Sequence, residues 1–288
     1  ENWSDSIFDK LDFPEDIMQE IIYTKKKIGN LLDEVKKECN IKEKLPVIAV
    51  GSHDTESAIA ATPLKNRERN VYISSGTWSL LGMELDSPFI NKDSLRENYT
   101  NECGVGKKIA FLKNLCGLWL IQECKRNWEK QGKNLSFDDI DAAAREAEAN
   151  KFIIDPNDEI FKNPEDMPAT IKEYCKETNQ PEPENYGEMA RGIYESLALS
   201  YKSAVETLED LLDKNIDTIN MVGGGIKADI LCQFTANITG RRVVTGPVEA
   251  TAMGNMLAQL MAAGEINNLQ EGREVIRNSV KLTEYIPE

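Results

Sequence analysis

Thr218-Ile-Asn-Met-Val-Gly-Gly-Gly-Ile-Lys-Ala228 reads as a short apolar strand, Thr218 to Val222, that breaks at three consecutive glycines and resumes as a helix near Ala228. Glycines in such a turn let a ligand approach the backbone closely, and the positive end of the following helix faces it. The pattern continues downstream. The helix runs to about Thr239 and is ended by Gly240, Arg242 to Thr245 is a further strand, and Ala250 to Ala263 is a helix of small residues closed by Gly264. Upstream, a long helix from about Tyr186 to Leu212 carries Met189, Ile193, Leu197, Ala204 and Leu208 on one face. Strands alternating with helices predict an α/β fold.

The first half is less regular. Residues 13 to 40 read as helical: Pro14 suits a first turn, and Ile17, Ile21, Ile28, Leu31, Leu32 and Val35 recur at helical spacing. Lys25-Lys26-Lys27 then falls on a solvated helix face. Leu45 to Val50 is an apolar run ending at Gly51 and fits a buried strand, and Ser57 to Ala61 suits a helix. Val71 to Ser75 and Trp78 to Leu81 are strands joined by a hairpin-like turn at Gly76-Thr77. Ile109 to Leu112 is another strand, and Leu115 to Trp128 is apolar at helical spacing. Residues 155 to 186 hold five prolines and many acids, and read as loops with short ordered pieces.

The chain has 288 residues, 41% hydrophobic and 29% charged, which allows one large domain or two modest ones with a substantial core. No apolar run approaches the roughly 20 residues of a membrane span, and no signal peptide is visible at Glu1-Asn2-Trp3. A net charge of -15 disfavours nucleic acid and anionic membrane as partners. Six scattered cysteines without a C-x-x-C pair, beside a single histidine, disfavour zinc and fit reduced thiols in the cytoplasm.

Three motifs stand where chemistry is expected. Gly51-Ser-His-Asp-Thr55 follows a strand at once, the place where α/β folds bind ligands. Asp54 there suits a general base or a metal ligand, and equally a turn whose Asp and Thr cap the next helix. Ser74-Ser-Gly-Thr-Trp78 offers hydroxyls and a tight turn whose amides can cradle an anion, or is simply a hairpin. The Gly223 turn lacks the Gly-Lys-Ser/Thr of a P-loop. It does satisfy a dinucleotide pattern through Gly223, Gly225 and Ala228, with Glu249 near the ribose-binding position.

Taken together and in this order, with Gly246-Pro-Val-Glu-Ala250, these motifs resemble the second half of an FGGY-family carbohydrate kinase. The forms Gly51-Ser-His-Asp-Thr55, Ser74 to Gly82 and Gly246 to Asn255 are similar to those of the members that phosphorylate L-rhamnulose. The resemblance runs from Asn2 to Tyr285. It implies an actin-like ATPase (ribonuclease H-like) α/β lobe, with residues 1–63 as the tail of an N-terminal sugar-binding lobe and 64–288 as the nucleotide-binding lobe. It implies ATP-dependent phosphorylation of a ketose with Mg²⁺, and sugar and ATP as the partners. Asp54 becomes the catalytic base, His53, Thr55 and Asn114 contact the sugar, Thr77 meets the phosphates, and Gln122 and Gly224 meet the nucleotide. The family's Asp-x-Gly-Thr phosphate loop is absent upstream of residue 51, so the chain reads as a fragment or truncated homologue, inactive by itself. Two rival readings are an NAD-dependent oxidoreductase built on the Gly223–Ala228 turn and a non-catalytic sugar- or nucleotide-sensing module.

Overall fold

Residues 2–288 are described by a computed structural model of the chain. Its first fifty residues form short pieces: α1 (Asp5–Leu11), β1 (Lys27–Asn30), α2 (Asp33–Glu38) and β2 (Pro46–Ile48), with β1 and β2 paired antiparallel. The remainder is built on one sheet. Its strands are β3 (Asn70–Ser75), β4 (Trp78–Leu85), β5 (Thr100–Cys103), β6 (Ile109–Cys116), β7 (Thr218–Val222), β8 (Arg242–Thr245) and β9 (Thr283–Tyr285), in spatial order β5-β6-β4-β3-β7-β8-β9. The β3–β7 and β7–β8 pairs are parallel, and the sheet's other pairs are antiparallel. The helices are α3 (Asp54–Ala61), α4 (Lys92–Arg96), α5 (Trp119–Lys130), α6 (Phe137–Glu146), α7 (Met167–Glu177), α8 (Tyr186–Leu212), α9 (Asp229–Thr239), α10 (Ala250–Ala263) and α11 (Leu269–Ser279).

Alternation along the strands divides the core in two. Val71, Ile73, Leu81, Met83, Phe111, Ile219 and Met221 point to one face and join the large core made with α5 to α9. Tyr72, Leu80, Ala110 and Leu112 point to the other and meet Ile59 of α3. Helices α3, α10 and α11 form the second layer, through Ala58, Ala61, Ala250, Leu257 and Ile276. The small residues of α10 have a packing reason: a Cβ at Gly254 would fall 1.7 Å from the Ser57 carbonyl oxygen, so only glycine lets α10 and α3 touch there.

The expectation of a helix over 13–40 is wrong. Lys25 turns the chain in the left-handed region (φ 65°), and its N–H donates to Ala49 O. Long-range pairing of β1 with β2 therefore overrides a periodic pattern whose apolar members Ile17, Ile21, Ile28 and Leu32 remain exposed. Lys25 to Lys27 lie in a turn and the start of a strand, not on a helix face. The Leu45–Val50 strand exists but is short, Pro46–Ile48, and largely exposed. Leu115 and Cys116 end β6, and the helix expected there starts only at Trp119. The proline-rich region contains α7, whose Ile171 and Cys175 are fully buried in the main core. Pro168 sits in its first turn, where a missing N–H costs nothing, and Asp166 caps Ala169 N. The hairpin at Gly76-Thr77, α8, β7, α9, β8 and α10 stand as the sequence predicts. None of the six cysteines stands in a disulfide, and no helix among the described residues is long and apolar enough to cross a membrane.

Candidate active site

Three loops meet above the sheet at the ends of β2, β3 and β7. The first opens α3. His53 occupies the N-cap position in an extended conformation without a side-chain capping bond, and Asp54 is the first helical residue. The Asp54 carboxyl Oδ1 accepts the Thr55 N–H at 2.8 Å. His53 lies between two carboxylates: Nδ1 is 3.2 Å from Glu102 Oε2 on β5, and Nε2 is 3.3 Å from Asp54 Oδ1.

The second loop is the β3–β4 turn. Its carbonyls satisfy the start of α5, with Leu118 N donating to Gly76 O and Gly117 and Trp119 N donating to Thr77 O. The Gly76 N–H is engaged by Trp78 O. Thr77 Oγ1 donates to Gln122 Oε1 at 3.1 Å, which ties the turn to the second turn of α5.

The third is the glycine turn. Gly223 has φ 89°, and a Cβ there would lie 2.8 Å from Ser75 O. A Cβ on Gly225 would lie 2.1 Å from Ser75 Oγ, so that glycine serves packing against β3. At Gly224 nothing lies within 4 Å, and its α-carbon faces open space. A 3₁₀ turn, Gly224–Lys227, stands between the glycines and α9, which begins at Asp229, close to the Ala228 that the sequence suggests.

These loops line a cleft of about 670 Å³. His53, Asp54, Thr55, Thr77, Asn114 and Gly224 all face it, as does Glu249. Asn114 reaches it from β6, where it is paired with Leu80. Gln122 is joined to the group through Thr77 instead of lining the cleft itself.

Sequence reasoning missed the charged layer under the cleft. Glu56 of α3 is buried, and neither carboxylate oxygen has a partner. Burial, then the charges of Glu102 and Glu84, push its pKa up to about 7. Glu84 of β4 pairs with Arg273 of α11 at 2.7 Å, both nearly inaccessible. The Tyr72 hydroxyl is buried beside them without a partner, and burial followed by Glu56 raises its pKa far above the usual value.

Glu56 carries a pH prediction. Its folded pKa lies above the usual 4.5, so the folded state holds a proton that the unfolded state releases. Stability is full below about pH 4.5 and falls as pH rises through about 7, by up to about 3 kcal/mol. Glu56→Gln, neutral at every pH, should match the parent or lose slightly at pH 5 and gain 1–3 kcal/mol or so over it at pH 8. Urea denaturation at the two pH values measures this, and a variant-to-parent difference that does not change with pH would refute it.

The strand order, the antiparallel β4, β5, β6 and β9, and the packing role of Gly225 leave no basis for the dinucleotide-binding reading. The fold is that of an actin-like lobe of sugar kinases. It overlays a gluconate kinase from Lactobacillus acidophilus with TM-score 0.75 at 18% identity, over 99% of this chain and 56% of that one. A ligand-bound xylulose kinase from the same species gives 0.74 at 19%, over 100% of this chain and 56% of that one. The sequence profile of the FGGY family of carbohydrate kinases, C-terminal domain, matches residues 71–263, and the chain belongs to that family. Among its relatives are a rhamnulokinase from Bacteroides thetaiotaomicron, 43% identical over 93% of this chain and 54% of the relative, and one from Oceanobacillus iheyensis, 39% identical over 98% and 58%. The chain thus spans somewhat more than half the length of these relatives.

Proposed function

We propose that the chain is the second half of a sugar kinase that transfers the γ-phosphoryl group of ATP to the 1-hydroxyl of L-rhamnulose. The observation that carries this is the convergence of His53, Asp54, Thr55, Thr77, Asn114 and Gly224, from separate elements, on one cleft. The names of the relatives point to the sugar. Asp54 accepts the proton of the attacking hydroxyl, and His53, Thr55 and Asn114 hold the ketose in line with it. Thr77 meets the phosphates, which requires its hydroxyl to exchange the bond to Gln122. Gln122 and the open α-carbon of Gly224 receive the nucleotide. Phosphoryl transfer depends on in-line positioning and charge stabilisation more than on covalent chemistry, which such an arrangement can supply.

The family also implies Mg²⁺. Among the described residues no group of three or more His, Cys, Asp or Glu could hold a metal ion. Mg²⁺ is usually held by one or two carboxylates together with substrate phosphates, so it does not need a cluster of that size. Six cysteines outside any disulfide suit work in a reducing cytoplasm.

We assign residues 1–63 to the first lobe's tail and 64–288 to the second lobe. Trp3, Phe13, Ile17, Ile28, Leu32 and Leu45 expose large apolar surface in the first segment, which a further lobe would cover. Helix α3 is the joint, with its body packed on α10 and its first residues facing the cleft.

The test is turnover of L-rhamnulose with ATP by the full-length protein. In it, Gly224→Val should raise the KM for ATP tenfold or more, on the order of 1.4 kcal/mol, because the added side chain enters the open space where the nucleotide sits. Unchanged ATP affinity would reduce the glycine turn to a structural role. Phosphorylation of a different ketose would keep the site and overturn the sugar.

A further inference from the structure

The single histidine sits between Glu102 and Asp54, and the two contacts differ. Nδ1 makes a hydrogen bond with Glu102 Oε2 at 3.2 Å. Nε2 lies 3.3 Å from Asp54 Oδ1 as a close contact, while that oxygen already accepts the Thr55 N–H. A neutral imidazole has one N–H to donate. An acceptor fixed on one ring nitrogen decides which of the two carries it.

We infer that Glu102 is a positioning residue: by accepting the Nδ1–H of His53 it holds the ring in the tautomer whose bare Nε2 faces Asp54. This rests on the proposed role of Asp54 as base and explains how that role survives a neighbouring imidazole. An Nε2–H would donate to Asp54, stabilise its charged form and so make the carboxylate a weaker base. With the proton on Nδ1, Asp54 stays free to accept the sugar hydroxyl's proton as the O–H bond breaks. Glu102 comes from β5, an edge strand anchored to β6. Helix α3 is anchored on the other side of His53 by α10, so the distance between the two groups is set by the fold.

Imidazole ¹⁵N shifts of the untagged full-length protein are assigned to His53, the single histidine of residues 1–288, by their loss in His53→Gln. They are recorded near pH 9, well above the range in which an imidazole ordinarily titrates, without sugar or ATP. The parent should carry its ring proton on Nδ1. Glu102→Ala should move it to Nε2, and Glu102→Gln, whose amide oxygen can still accept, should keep it on Nδ1. In the full-length protein Glu102→Ala should lower kcat about tenfold or more with less change in the KM for sugar, and Glu102→Gln should recover most of that loss. A parent ring protonated on Nε2, or a Glu102→Ala ring still protonated on Nδ1, overturns the inference, whatever happens to activity. A full-length protein with no kinase activity would instead overturn the proposed function and leave the tautomer result to decide this one.

Discussion

Replacing Arg273 with methionine is expected to destabilise the chain by about 3–5 kcal/mol, the usual consequence of breaking a buried ion pair from one side. Arg273 is 2% exposed. Its Nη1 meets Glu84 at 2.7 Å, its Nη2 donates to Ile59 O at 3.0 Å and its Nε donates to Ala60 O at 3.3 Å. It therefore neutralises a buried carboxylate and satisfies two carbonyls at the end of α3. Methionine fills a similar volume and restores neither function. Glu84 would be left charged in a layer that already holds Glu56 without a partner. Glu84→Gln added to Arg273→Met removes the stranded charge and should recover a large part of the loss. Urea unfolding of both variants measures this; a single-variant loss under about 1 kcal/mol would mean that water reaches Glu84 and the pair is not truly buried.

The same residue shows what a linear reading reaches. The β7–glycine–α9 unit, α8 and the β3–β4 hairpin were legible because their signals are local: a strand ends at glycines, or one helix face stays apolar for 27 residues. The motif residues His53, Asp54, Thr55, Thr77, Asn114 and Gly224 stand on those elements and on their neighbours, and they share one cleft. Glu102 and Arg273 have no such local mark. Glu102 lies on a four-residue edge strand and meets His53 across 49 positions, and Arg273 meets Ile59 across 214. Sheet register and helix packing bring them there, and neither can be read from spacing.

Residues 13–40 failed for another reason. Helical periodicity predicts a helix when the apolar stripe has something to cover. Among the described residues the stripe is mostly uncovered: Ile17, Ile21, Ile28 and Leu32 stay exposed, and backbone pairing of β1 with β2 decides the local structure instead. An apolar pattern that finds no partner among the described residues predicts a contact surface, not an element.

Asp54→Asn should lower turnover of the full-length enzyme by about 10²–10⁴-fold, the usual contribution of a general base. Asparagine keeps the shape of the side chain, and its amide oxygen can still accept the Thr55 N–H that Asp54 Oδ1 accepts at 2.8 Å. Helix α3 should therefore begin as before. Ketose affinity should change less than turnover, because the amide still hydrogen-bonds a hydroxyl. The rival view is that Asp54 only supports the helix start. There the cap position belongs to His53, and Asp54 follows it. Asparagine ranks beside aspartate in helix-start roles, so a purely structural Asp54 predicts unchanged turnover and unchanged melting temperature. The two views part on a single measurement, phosphoryl transfer in one turnover at saturating ATP and sugar, which removes binding from the comparison. A rate within about threefold of the parent would leave Asp54 a structural residue; a loss of about a hundredfold or more at constant melting temperature places the proton on its carboxylate.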